Sequence, residues 1–165
     1  MSILIAYASK YGATEEIAEG IGATLRTLGL DAAVRQVDLA GDPTQNDAVI
    51  IGSAVYMGRW MREASNYVRH YHEALSARPV WLFSSGPVGT ATLPDPKEIA
   101  EFQTLIHPRG HQQFAGALHR ESLSFAERVM VSAVKAPDGD YRRWDEINAW
   151  AASIAGALAP SVATT

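Results

Sequence analysis

Ile3-Leu4-Ile5-Ala6-Tyr7-Ala8-Ser9-Lys10-Tyr11-Gly12-Ala13-Thr14 changes character halfway along. Its first half is a short apolar run, which predicts a buried strand. Its second half is polar and carries a glycine. A helical stripe follows at Ile17, Ile21, Leu25 and Leu28, with Gly29 as its stop. A strand that runs through a polar loop into a helix places the helix N-terminus beside the strand's carboxyl end. The N–H groups there are unpaired and carry partial positive charge, so they attract phosphate. Gly12 lets the backbone approach an anion closely, and Ser9 and Thr14 add hydroxyl donors. Lys10, Tyr11 and Ala13 complete the loop.

The rest of the chain repeats the alternation. Residues 30–37 are extended and rich in small or β-branched side chains. Asp42-Pro43 opens a turn or a short helix. Ala48-Val49-Ile50-Ile51 predicts a third strand ending at Gly52, and its unbroken apolarity predicts burial on both faces. One helix carries Ala64, Val68, Tyr71 and Leu75, and residues 79–83 give a fourth strand. Asp95-Pro96-Lys97-Glu98 reads as a helix start with a capping Asp, residues 113–118 as a fifth strand, and residues 125–134 as an amphipathic helix. The last helix carries Trp144, Ile147, Ala151, Ile154 and Leu158. This order predicts an α/β, doubly wound, five-stranded parallel sheet of order 2-1-3-4-5 with helices on both faces. In such sheets ligands lie outside the carboxyl ends of the strands. One domain over residues 1–159 and a frayed tail at 160–165 are expected.

Composition narrows the chemistry. The 165 residues include 14 Lys and Arg against 18 Asp and Glu, a formal net charge of −4, which argues against a nucleic-acid binder. The chain has no cysteine, which excludes disulfides, thiolate metal sites, iron–sulfur clusters and thiol catalysis. No stretch reaches the about 20 apolar residues of a membrane span, and the N-terminus lacks a basic leader, so the cytoplasm is the expected compartment. Membrane contact is at most peripheral, through residues 125–134. His70 and His72 do not share a helix face, and His107, His111 and His119 read as surface histidines, so no metal site is expected. No GxSxG elbow supports a hydrolase, and no side chain is assigned a catalytic role. There is no GxxxxGK[ST] and no GxGxxG after a strand, which leaves the loop at residues 9–14 as the phosphate candidate. Arg59, Arg62, Arg142 and Arg143 read as solvated charges.

At this loop the chain resembles the flavodoxins, which carry [ST]-x-[ST]-G-x-T after the first strand. Ser9, Gly12 and Thr14 match, and Tyr11 stands where the family has Thr or Ser. The resemblance implies one FMN, its phosphate held at Ser9, Lys10, Tyr11, Gly12, Ala13 and Thr14. A second loop, Ser53-Ala54-Val55-Tyr56-Met57-Gly58, would lie against the flavin ring, with Tyr56 or Trp60 stacked on it. A third, Ser85-Gly86-Pro87-Val88, would cover the other face, without the aromatic that the family often carries there.

The run Ile50 to Gly58, Phe114-Ala115-Gly116-Ala117-Leu118, and Asp140-Tyr141-Arg142-Arg143-Trp144-Asp145 look more like the flavodoxin-like protoporphyrinogen oxidases than like carrier flavodoxins. That resemblance implies an FMN-dependent oxidoreductase passing electrons to a quinone or similar acceptor. Its partners would be a small molecule, a quinone or a redox protein. The alternatives are an electron carrier between protein partners and a flavin-free binding module of the same fold.

Overall fold

The computed structural model describes residues 1–86, 94–118, 139–140 and 142–159. Strand β1 (Ser2–Ala8) leads into helix α1 (Ala13–Thr27), followed by β2 (Asp31–Gln36), a single turn α2 (Val37–Ala40) and a 3-10 turn at Pro43–Gln45. Next come β3 (Ala48–Tyr56), β4 (Arg59–Trp60), α3 (Arg62–His70), α4 (His72–Ser76) and β5 (Val80–Ser85). Helix α5 (Glu98–Ile106), β6 (Gly110–Phe114), the short pair β7 (Ala117–Leu118) and β8 (Gly139–Asp140), and α6 (Trp144–Leu158) complete the described chain.

The main sheet runs β2-β1-β3-β5-β6, all parallel, with β4 antiparallel on β3. Apart from the inserted β4, this is the expected 2-1-3-4-5 order. Alternation along the strands builds two apolar layers. Ile3, Ile5 and Tyr7 of β1 face Ile17, Ile21 and Leu25 of α1 and Ile147, Ala151 and Ile154 of α6. Leu4, Ala6 and Ala8 face the other way, toward Ala64 and Val68 of α3, Leu75 of α4 and Ile99 and Phe102 of α5. Residues 48–54 of β3 are buried without interruption, as the unbroken apolar run predicts for a strand covered on both faces.

Several expectations need correction. Gly52 does not end the third strand, because β3 continues to Tyr56. Gly52 lies in register with Phe83 of β5, and a Cβ at this position would stand 2.0 Å from the Phe83 ring. The residue is a glycine so that this ring can lie across the sheet. The fifth parallel strand is Gly110–Phe114, not residues 113–118; it lies at the sheet edge and carries the polar His111, Gln112 and Gln113, so apolarity did not mark it. The stripe Ala64, Val68, Tyr71, Leu75 spans two helices that break at Tyr71 (φ −103, ψ 24). Asp95 does not cap α5, whose N-cap residue is Lys97. Leu28 ends its helix 52% exposed, outside the apolar stripe. The helix expected over residues 125–134 and the tail from Pro160 lie outside the described residues. Among the described residues no helix is long and apolar enough to cross a membrane.

Candidate functional site

The carboxyl ends of β1, β3 and β5 converge on one edge, as their parallel registers require. At β1 the chain leaves the sheet at Ala8 and enters α1 through Gly12, whose φ of +91 lies in the left-handed region where a side chain is strained. Among the described residues no side chain caps α1. The Gly12 N–H instead donates to Ser9 Oγ at 3.1 Å, closing the loop on itself. Thr14 is buried at 1% exposure, and its hydroxyl has no hydrogen-bond partner among the described residues. An ideal Cβ at Gly12 would meet no atom of the described residues within 4 Å, so among them the loop is open beside Gly12. An uncapped helix end, a left-handed glycine and an unengaged threonine hydroxyl fit a phosphate group.

The first turn of α1 also carries Glu15 and Glu16, which oppose an anion. Both are engaged. The Tyr7 hydroxyl donates to Glu15 Oε1 at 3.0 Å. Burial, with help from that carboxylate, pushes the Tyr7 phenol up to about 12, so it stays a donor at neutral pH. Arg142 Nη1 reaches Glu16 Oε2 at 2.6 Å. The Arg142 side chain is only 9% exposed, so it is not the solvated charge that its polarity suggests.

The second loop is a β-hairpin. Tyr56 pairs with Arg59 across the two-residue turn Met57-Gly58, and both turn residues have positive φ, 54 and 74. Ser53 is fully buried, and its Oγ is used internally: it donates to the Ala54 carbonyl at 2.8 Å and accepts from the Met61 N–H at 2.9 Å. Ala54 is buried, Val55 packs on the layer with α3 and α5, and Met57 at the tip is 76% exposed. Tyr56 is 40% exposed. Burial raises its phenol while the nearby Lys10 ammonium opposes the rise, so the hairpin and the phosphate loop share one neighbourhood. Lys10 Nζ also lies 5.5 Å from the Tyr11 ring centroid. Trp60 turns inward instead. It is 4% exposed, its ring centroid lies 5.3 Å from that of Phe102, and it is unavailable for stacking on a ligand. Arg59 is paired with Glu98 at 3.3 Å, which offsets its charge beside the hairpin.

At β5, Ser85 is buried and Gly86 donates its N–H to the Phe114 carbonyl at 2.9 Å. Pro87 and Val88 lie outside the described residues. At the carboxyl end of β5 is a polar chain that the sequence did not reveal. Trp60 Nε1–H donates to Ser84 Oγ at 2.8 Å, and Ser84 Oγ lies 2.7 Å from His111 Nε2. His111 Nδ1 faces Asp95 Oδ1 at 3.6 Å, and Asp95 in turn accepts from Gln113 Nε2 at 2.7 Å. Serine, imidazole and carboxylate follow one another as in a nucleophilic triad. Ser84 is fully buried, however, and its oxygen already accepts the Trp60 indole N–H, so no substrate reaches it. His111 is no surface histidine: its side chain is 7% exposed. Burial holds its imidazole below the ordinary value, against the opposing pull of Asp95. A neutral His111 accepts the Ser84 proton at Nε2 and turns Nδ1–H toward Asp95. The chain ties the hairpin, the end of β5, β6 and the approach to α5 together.

Among the described residues no group of three His, Asp or Glu side chains is placed to hold a metal ion. His70 stacks edge-on against Tyr71 at 4.5 Å, His72 bonds the Arg69 carbonyl, and His119 lies outside the described residues.

The comparisons with known proteins agree with this geometry. The chain is 23% identical over 172 residues to the protoporphyrinogen IX dehydrogenase (quinone) of Escherichia coli K12, covering 94% of this chain and 95% of that protein. Among solved structures, a flavodoxin from the domain Archaea superposes with a TM-score of 0.65 at 16% identity, over 95% of this chain and 98% of that one. Oxidised flavodoxin 2 from Bacillus cereus superposes with a TM-score of 0.63 at 19% identity, over 96% and 100%. The model of the flavodoxin domain family matches residues 4–145, and the chain belongs to that family.

Proposed function

We propose that residues 1–159 form one FMN-binding oxidoreductase domain, with the flavin phosphate at residues 9–14 and the ring beside Tyr56. The observation that carries this reading is the uncapped N-terminus of α1, with Gly12 left-handed and the Thr14 hydroxyl unengaged, next to a half-exposed tyrosine. Bound there, FMN supplies one- and two-electron chemistry, and the protein supplies binding, orientation and exclusion of water. Thr14 and the first-turn N–H groups hold the phosphate, Ser9 keeps the loop closed, and Tyr56 offers a flat face to the ring. Residues 53–58, 85 and 86 frame the ring mainly through backbone, because the Ser53 hydroxyl is committed within the hairpin. Pro87 and Val88 are proposed for the other side of the ring.

The likeness to an Escherichia coli protein named for protoporphyrinogen IX and quinone supports an enzyme that takes electrons from a reduced tetrapyrrole or similar flat substrate and passes them to a quinone. The second reading, an electron carrier between redox proteins, is supported by the likeness to small flavodoxins over their whole length. The deciding experiment is titration of the purified chain with FMN, FAD and riboflavin. FMN is expected to bind with one-to-one stoichiometry, tighter than riboflavin, and to raise the melting temperature. An excess of 100 times Kd stabilises by about 2.7 kcal/mol. No thermal shift with excess FMN overturns the proposal. Turnover of a reduced tetrapyrrole with a soluble quinone then separates enzyme from carrier.

A further inference from the structure

Arg142 lies far along the chain from the phosphate loop yet is held against it. Its Nη1 contacts Glu16 Oε2 at 2.6 Å and lies 3.5 Å from the Ala13 carbonyl, both in the first turn of α1. Its Nε and Nη2 form a two-pronged pair with Asp140, at 2.9 and 2.6 Å. Its guanidinium carbon stands 5.1 Å from the ring centroid of Trp144, and that ring packs against α1 where Gly20 leaves room for it. Hydrogen bonds to Asp140, reinforced by Glu16, hold the guanidinium charged. A planar fork is suited to engaging two carboxylates at once, where a lysine would present a point charge.

Glu15 and Glu16 stand in the turn whose N–H groups would receive a phosphate. The helix end attracts an anion, while carboxylates within one turn repel it. Glu15 accepts the Tyr7 phenol, which leaves its charge in place. Arg142 shares its positive charge between Asp140 and Glu16 and so offsets part of the Glu16 charge. We propose that Arg142 is an electrostatic positioning residue for the phosphate site: it offsets Glu16 beside the first turn of α1 and so strengthens the preference for a phosphorylated over an unphosphorylated flavin. The inference rests on the FMN reading above and adds to it a residue outside the phosphate loop.

The test is fluorescence titration of the full chain with FMN and with riboflavin, at low and moderate ionic strength. Arg142→Gln is expected to weaken FMN three- to tenfold while riboflavin changes less than twofold, with the larger loss at low salt. Adding Glu16→Gln to that variant restores most of the FMN affinity, and Arg142→Lys retains part of it. Glu16→Gln alone, at a residue whose side chain is 63% exposed, removes repulsion without burying a charge, so FMN binds at least as tightly as to the parent. That variant decides the matter even where Arg142→Gln fails to fold. Equal losses of FMN and riboflavin in Arg142→Gln, or weaker FMN binding by Glu16→Gln, make Arg142 a structural brace and overturn the proposal. A parent protein that does not favour FMN over riboflavin instead overturns the FMN reading itself.

Discussion

The loop after β1 and the hairpin after β3 stand at the same edge of the sheet and use their polar groups in opposite ways. In the first, Gly12 is left-handed and, among the described residues, the helix end is uncapped and the Thr14 hydroxyl is unengaged. In the second, the side chains that look like ligands are consumed by the fold. Ser53 ties the two arms of the hairpin, and Trp60 and Ser84 bond each other. A hydroxyl at a ligand-binding edge is therefore weak evidence of a contact until its hydrogen bonds are counted. Donors left over after folding distinguish the loop after β1 as the candidate anion site, and donors already spent set the hairpin apart as a frame.

The sharpest way to break this contrast is Gly12→Val. A β-branched residue at φ +91 costs about 1–3 kcal/mol in backbone strain and blocks the anion. FMN affinity should fall by 100-fold or more in a fluorescence titration, with riboflavin far less affected. Unchanged FMN binding would move the phosphate elsewhere. Ser84→Ala tests the other side. It leaves the Trp60 indole N–H without its acceptor, a cost of about 1–3 kcal/mol. The melting temperature should drop by several degrees while the ratio of FMN to riboflavin affinity stays constant; a changed ratio would make Ser84 part of the ligand site.

Tyr56→Ala separates ring from phosphate. Loss of one aromatic contact is worth about 0.5–1.5 kcal/mol, so FMN and riboflavin should both weaken by roughly two- to tenfold, and flavin fluorescence should rise. The smallest effect concerns His111. Its folded value lies below the ordinary 6.5 because burial penalises the imidazolium. The unfolded chain therefore binds the extra proton more readily, and stability declines as pH falls through 6.5 toward the folded value. Thermal melts from pH 7 to pH 5 should show this decline in the parent and a flatter profile in His111→Gln.

The sheet order was legible in the sequence because the three inner strands are short, largely apolar runs between turn residues, as Ile3 to Ala8 and Ala48 to Ile51 show. Strand β6 was misplaced because its edge position lets it carry His111, Gln112 and Gln113. The strand–loop–helix junction from Ala8 to Thr14 was legible because it is a short local pattern. The hairpin was missed because Met57-Gly58 is not the Asn-Gly or Asp-Gly that usually marks such a turn. The roles of Arg142, His111 and Glu98 were hidden for another reason: their partners are 126, 27 and 38 residues away, and one sequence does not display contacts at that range.

Strand β3 has a further consequence. Its pairing with β1 ends at Ser53 and with β5 at Ala54, so Val55 and Tyr56 project past the sheet like a cantilever, held by β4. Strand alternation sends Val55 into one apolar layer and Tyr56 toward the other face. An insertion of one residue between Ala54 and Tyr56 would reverse that assignment, whereas exchanging side chains at 56, 57 and 59 disturbs no parallel register. The overhang is thus a natural site for variation: a library at these three positions would alter what meets the exposed edge while the sheet beneath stays the same.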